Sequence, residues 1–189
     1  GGGGAILTYN LIMSQTDFIS NSTESNGGAI AANGYYLRVA ESRFIGNRAE
    51  TAGGGLSLYA GQGITTVKLT NTLLAANHAP QGAALEYSGL ITDHLTIAHS
   101  TIASPTVGNA SAIYVAGSTA YISNSIVSSY TTALNAVTTI TNIGEGIIYE
   151  ANNLFYSTVP TSGNVVGNGN SLIGVPDFLA PTNADYRLG

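Results

Sequence analysis

FISNSTESNGGAI (residues 18–30) returns in altered form as FIGNRAETAGGGL (residues 44–56). In each, an aromatic residue is followed at the third position by Asn, and a cluster of small residues leads to an aliphatic one. Working outward, the aliphatic position recurs at Ile6, Ile30, Leu56, Leu85, Ile113 and Leu134. The spacing is uneven but stays within the range of a solenoid repeat. The residue before it is always tiny: Ala5, Ala29, Gly55, Ala84, Ala112 and Ala133. A second apolar position recurs at Phe18, Phe44, Leu74, Ile102 and Val127. Two residues earlier stands a hydroxyl each time, as Thr16, Ser42, Thr72, Ser100 and Ser125. Before that come Leu11/Met13, Leu37/Val39, Val67/Leu69, Leu95/Ile97 and Ala120/Ile122. Such period-two alternation marks a strand with one buried face.

Length variation has a place too. Up to Ile113, insertions fall between the aliphatic anchor and the next second anchor, so one loop per repeat absorbs them, as in a solenoid. Glycine pairs, Asn, Ser, Thr and β-branched residues in the arms disfavour helix. The spacing predicts an all-β, single-domain parallel β-helix (β-solenoid) of about six coils over residues 1–150. Residues 151–189 are expected to form an irregular coil and tail of the same domain, beginning after about Tyr149. Coils stacked about 4.8 Å apart bring equivalent residues into ladders. Phe18 and Phe44 are expected in the core, and Asn21, Asn47 and Asn77 at a corner. The glycines allow the next coil to approach without a Cβ. The column Gln15, Glu41, Asn71, His99 and Asn124 is expected at a turn where the backbone goes left-handed, a conformation Asn tolerates.

Ladders also explain the composition. Hydrophobic residues make up 44% of the 189 and charged residues 8%, against roughly 25% charged in ordinary globular chains. A charge at a repeated position would sit opposite its own copy, and like charges so placed destabilise a sheet. The net charge of −5, with five Lys and Arg, argues against nucleic acid and anionic membrane as partners. There is no Cys, and no apolar run is long enough for a membrane-spanning helix. The chain opens on GGGGAIL, without Met and as regular as an interior repeat. Further coils of a longer chain, or a neighbouring subunit in head-to-tail self-association, are therefore expected to cover that edge.

The GGAI of residues 3–6 and 27–30, with Phe18–Asn21 and Phe44–Asn47 in the pattern FxxN, resembles the repeats of the chlamydial polymorphic outer-membrane proteins. Those are right-handed β-helix passenger domains that serve as adhesins. The tail NSLIGVPDFLAPTNADYRLG (residues 170–189) resembles the end of secreted bacterial β-helix repeat proteins, where DPxF…DYRL precedes SPAIDxG. Here the order is Pro176-Asp177-Phe178, and the final element does not appear. The wider pectate-lyase-like superfamily implied by both likenesses also contains polysaccharide lyases. Right-handedness follows from the resemblance and from the usual crossover of parallel strands.

For a reaction, the residues offer little. Asp17, Glu24, Glu41, Glu50, Glu86 and Asp93 fall in different columns, whereas a hydrolase of this fold needs clustered carboxylates. Arg38 and Lys68 each lie six residues before a second anchor, which makes them outward neighbours on adjacent coils. Asp93-His94 invites a general-base reading, but His99 already has a place in the turn column. No catalytic residue, metal or cofactor is assigned, and the balance leans against an enzyme. The ligand-binding candidates are Tyr9, Tyr35, Tyr36, Tyr59 and Tyr87, which follow the aliphatic anchor coil after coil. Aromatic rings along one edge could stack on sugars or bury at a protein interface. Equally, they could pack on one another. The expected function is a non-enzymatic extracellular or cell-surface scaffold, adhesive or part of a surface fibre, with surface glycans or host and neighbour-cell proteins as partners. The alternative is a carbohydrate-active enzyme or a carbohydrate-binding module.

Overall fold

A computed structural model describes residues 3–60, 66–90, 92–138, 144–183 and 185–189, and the side chains of Tyr35, Val107, Asn109 and Thr158 lie outside the described residues. The chain winds as a parallel β-solenoid of about five turns, with 65% of it in strands. The last strands of the stack, Val165–Gly167 and Leu172–Ile173, are short.

Each coil presents three faces. On the first, residues 10–14, 36–40, Thr66–Thr70, His94–Ala98, Thr119–Ser123 and Ile147–Ala151 pair in register. Its inward columns are Leu11–Leu37–Val67–Leu95–Ala120–Ile148 and Met13–Val39–Leu69–Ile97–Ile122, the alternating pairs read from the sequence. On the second face the inward column is Phe18–Phe44–Leu74–Ile102–Val127–Phe155. The Phe18 and Phe44 rings lie 5.0 Å apart and 6° from parallel. On the third the inward column is Ile6–Ile30–Leu56–Leu85–Ile113–Leu134. The inward columns of the three faces meet in one continuous core. Each fully buried side chain of this size is worth about 1.5–3 kcal/mol.

Polar ladders turn the corners. Between the first and second faces, Gln15, Glu41, Asn71, His99 and Asn124 all have φ between 49° and 52°, as expected of that column. The hydroxyl that follows three of them, of Ser42, Ser100 and Ser125, ties two coils together. Ser100 Oγ accepts from the Thr72 backbone N–H at 3.2 Å while donating to the Ala98 carbonyl at 3.0 Å, and Ser125 repeats both bonds one coil on. Asn21, Asn47 and Asn77 form the second ladder. Asn47 Oδ1 accepts from the backbone and the side-chain amide of Asn21, and Asn77 Oδ1 does the same for Asn47. Asn47 is buried with these bonds made, so it holds the corner without the usual desolvation loss.

Before the third face, Gly27 and Gly53 adopt φ of 71° and 64°. A Cβ on the following Gly28 would land on the Gly54 carbonyl oxygen. The tiny residues next in line are tied coil to coil, from Ala29 to Gly55 and from Gly55 to Ala84 to Ala112.

Regular stacking does not end near Tyr149. Leu154–Gly163 pairs along the strand Ile126–Val137, and Leu172–Ile173 pairs with its start, because Leu154 and Phe155 keep the in-out pattern of the second face. The irregular part follows Ile173. There Phe178–Ala180 and Asp185–Leu188 pair antiparallel. Tyr186 is buried against Ala75 and Ala103, outward residues of the second face, with Phe178 edge-on to its ring. Alanines at those two rungs leave the room into which the tail folds back.

Candidate functional site

Parity along each strand decides which expected residues reach solvent. Tyr9 and Tyr59 stand three residues after their anchors and point outward, 71% and 47% exposed. Tyr36 is exposed too, but on the first face, in register with Asn10 and Thr66. Tyr87 stands two residues after Leu85 and points inward, in register with Leu58 and Val115. It is 0% exposed and is a core residue. The side chain of Tyr35 lies outside the described residues. The five tyrosines therefore do not line one edge. Tyr59 shares a column with Asn33 and Ser88, and Tyr36 with Thr66 and His94.

The first face brings a different set together. Its outward column runs Ile12–Arg38–Lys68–Thr96–Tyr121–Tyr149–Val166. Arg38 and Lys68 are the outward neighbours read from the sequence, and both are exposed. Arg43, Arg48 and Arg187 are each held by a carboxylate, of Asp17, Glu50 and Asp185. Arg38 and Lys68 form no ion pair among the described residues. Two and three coils above Lys68, the Tyr121 and Tyr149 rings stack 5.3 Å apart at 14°, and His94 meets Tyr121 edge-on at 6.0 Å. Together with Val166, Gly167 and Asn168 the two rings border a groove of about 360 Å³. Counting six residues back from Val127 and Phe155, as for Arg38 and Lys68, would have found Tyr121 and Tyr149.

The acids do not converge. Arg43 holds the Asp17 carboxyl below its ordinary range by a side-chain hydrogen bond. Glu41 accepts from Gln15 at 3.0 Å. Asp93 is buried and accepts from the Leu90 N–H at 2.8 Å, whereas His94 points outward, so the two do not act as a pair. Glu86 faces outward on the third face between Ser57 and Tyr114. Burial pushes its carboxyl up, against the hydrogen bonds of Ser57 (2.7 Å) and Ser88. Glu150 was not singled out from sequence, yet it occupies the inward position of Ile97 and Ile122 and is met there by Asn153 and Ser171. Among the described residues, no three His, Asp or Glu are grouped to hold a metal ion.

What the fold defines is a parallel β-solenoid with an aromatic and basic outer face. Compared with protein-family models, curated proteins and solved structures, the chain matches none of them.

Proposed function

We propose that this chain is a non-enzymatic extracellular or cell-surface β-solenoid scaffold that adheres through its first face. The observation that carries the reading is the column Arg38–Lys68–Thr96–Tyr121–Tyr149. In a chain of net charge −5, the two exposed cations lacking a carboxylate partner among the described residues stand side by side. They share a straight track with a stacked ring pair. Ring faces stack on sugars, and guanidinium and ammonium groups hydrogen-bond hydroxyls and carboxylates. With rungs about 4.8 Å apart, the track suits an extended chain lying along the solenoid axis, which favours surface glycans over a compact protein partner. The likeness of the GGAI and FxxN repeats to the adhesive passenger repeats supports the same reading, including right-handed winding and secretion. Residues 1–189, screened on a glycan array, should give hits. Combined Arg38→Ala, Lys68→Ala, Tyr121→Ser and Tyr149→Ser should abolish them with the β-sheet circular dichroism unchanged. Hits that survive all four substitutions would remove the face from the proposal.

A further inference from the structure

The Asn ladder stops one rung early, and an open cavity stands where the next rung belongs. By register, the corner Asn follows the second anchor by three residues, as in Phe18/Asn21, Phe44/Asn47 and Leu74/Asn77. The next anchor is Ile102, paired with Leu74, so the same offset falls on Pro105, but the register shifts after Ala103 and resumes at Gly108 opposite Tyr130, so the Asn ladder is not continued there. Proline has neither an N–H nor a carboxamide. The short parallel stretch Ser22–Thr23 with Arg48–Ala49, extended to His78 by a bridge, also ends at this coil. A cavity of about 450 Å³ results, bordered by Asn77, Ala83, Ala110, Ser104, His78 and Tyr130. That volume lies within the range of small-molecule sites.

The chemistry of the missing rung can be read from the two that are present. Asn47 Nδ2 donates backward to the Phe18 carbonyl at 3.0 Å and forward to Asn77 Oδ1 at 2.9 Å, and its backbone N–H donates forward to the same oxygen at 2.9 Å. Asn77 Nδ2 makes the backward bond, to the Phe44 carbonyl at 2.8 Å. Its two forward donors, the backbone N–H and the second Nδ2–H, have no partner among the described residues. Asn77 is 5% exposed, so the donors are fixed in place and aimed at the point an amide oxygen would occupy. Leu74 follows Phe18 and Phe44 in the same column, so its carbonyl takes the place of the acceptor for that amide's N–H.

We propose that this cavity binds the acetamido group of an N-acetylated hexosamine, its carbonyl oxygen replacing the missing Asn Oδ1. A secondary amide fits better than a primary one. It supplies the one oxygen and the one N–H that the rung needs, and in place of a second N–H it brings a methyl group, which Ala83 and Ala110 receive. The hydroxyl of Tyr130, behind the cavity, is already committed to the Ala103 carbonyl at 3.1 Å. His78, exposed at the rim, and Ser104 are placed for the sugar hydroxyls. No charged group is required, which distinguishes this site from the basic track of the first face. The two sites stand or fall separately.

The test is an NMR titration of the isotope-labelled chain, following the backbone and side-chain amides of Asn77. Methyl N-acetylglucosaminide should move both with a Kd on the order of 1 mM, and methyl glucoside should move neither. Ala83→Leu fills the cavity from its own wall and should abolish the response. Should that variant not fold, Ala110→Val, which crowds the methyl wall, should weaken binding about tenfold. Asn77 signals that stay still, or that respond equally to the plain glucoside, overturn the proposal. So does binding that Ala83→Leu leaves intact. A response to Nε-acetyl-lysine amide without one to the sugar overturns the hexosamine assignment.

Discussion

Asn47 Oδ1 accepts two hydrogen bonds from Asn21, at 3.0 Å from the backbone nitrogen and 2.9 Å from Nδ2, across one coil of the solenoid. Asn47 is 0% exposed. Asn47→Ala removes the acceptor of both half-buried Asn21 donors and the donor to the buried Phe18 carbonyl, and leaves Asn77 Oδ1 only the backbone N–H of residue 47. Each buried group left unpaired costs about 1–3 kcal/mol. On that scale the substitution should lower unfolding stability by about 3 kcal/mol in a urea titration, and a loss under about 1 kcal/mol would mean that the ladder relaxes.

Ala84 is 0% exposed and tied to Gly55 on one coil and Ala112 on the other. Ala84→Leu overpacks that column and should cost on the order of 1–3 kcal/mol. Gly28→Ala should be worse, because the new Cβ meets backbone on the neighbouring coil, which cannot swing aside as a side chain can. Chemical denaturation of both variants gives the comparison, and a neutral Ala84→Leu would contradict the register.

Tyr87 buries a hydroxyl with no hydrogen-bond partner among the described residues, while the Tyr130 hydroxyl donates to the Ala103 carbonyl. Tyr87→Phe should therefore stabilise, and Tyr130→Phe should destabilise, each by about 1 kcal/mol. Burial raises both phenols, and it raises Tyr186 to about 12. All three hold their protons more tightly in the folded chain than in the unfolded one, whose tyrosines titrate near about pH 10. The stability from this source is whole below about pH 10 and falls as pH rises through the folded values. Denaturation midpoints measured across that range, alongside tyrosinate absorbance, should decline together with ionisation.

Glu86 holds its proton more readily folded than unfolded, chiefly because of burial. Its charge therefore opposes folding once pH exceeds the ordinary carboxylate range, and that opposition vanishes on acidification. Glu86→Gln keeps an acceptor for Ser57 and should raise the midpoint of denaturation at neutral pH. The gain should shrink as pH falls below about 4. A gain that does not depend on pH would assign it to packing instead.

The winding, the corner columns and the tight small-residue rungs were legible in the residues, since a β-solenoid repeats its local physics every coil. A left-handed turn favours Asn or Gly, a close approach needs Gly, and an inward position takes Phe or Leu, so each requirement leaves its mark at a fixed offset. Asn21, Asn47 and Asn77 could be placed from such offsets alone. Tyr87 was misplaced although the information was present, because one residue of parity separates it from the outward Tyr59.

Other features depend on which coil lies next to which, and local sequence does not carry that. Tyr121 and Tyr149 lie a full coil apart along the chain and become one platform only through the register Tyr121↔Tyr149. The cavity beyond Asn77 lies where the register shifts between Ala103 and Gly108, one coil further on, so that the Asn ladder is not continued. The tail finds its place because Ala75 and Ala103 stack into a shallow patch that receives Tyr186. Sequence alone determined the coil, since backbone conformation and side-chain parity are local. Tertiary structure decided the surfaces, since stacking turns residues distant along the chain into neighbours about 4.8 Å apart.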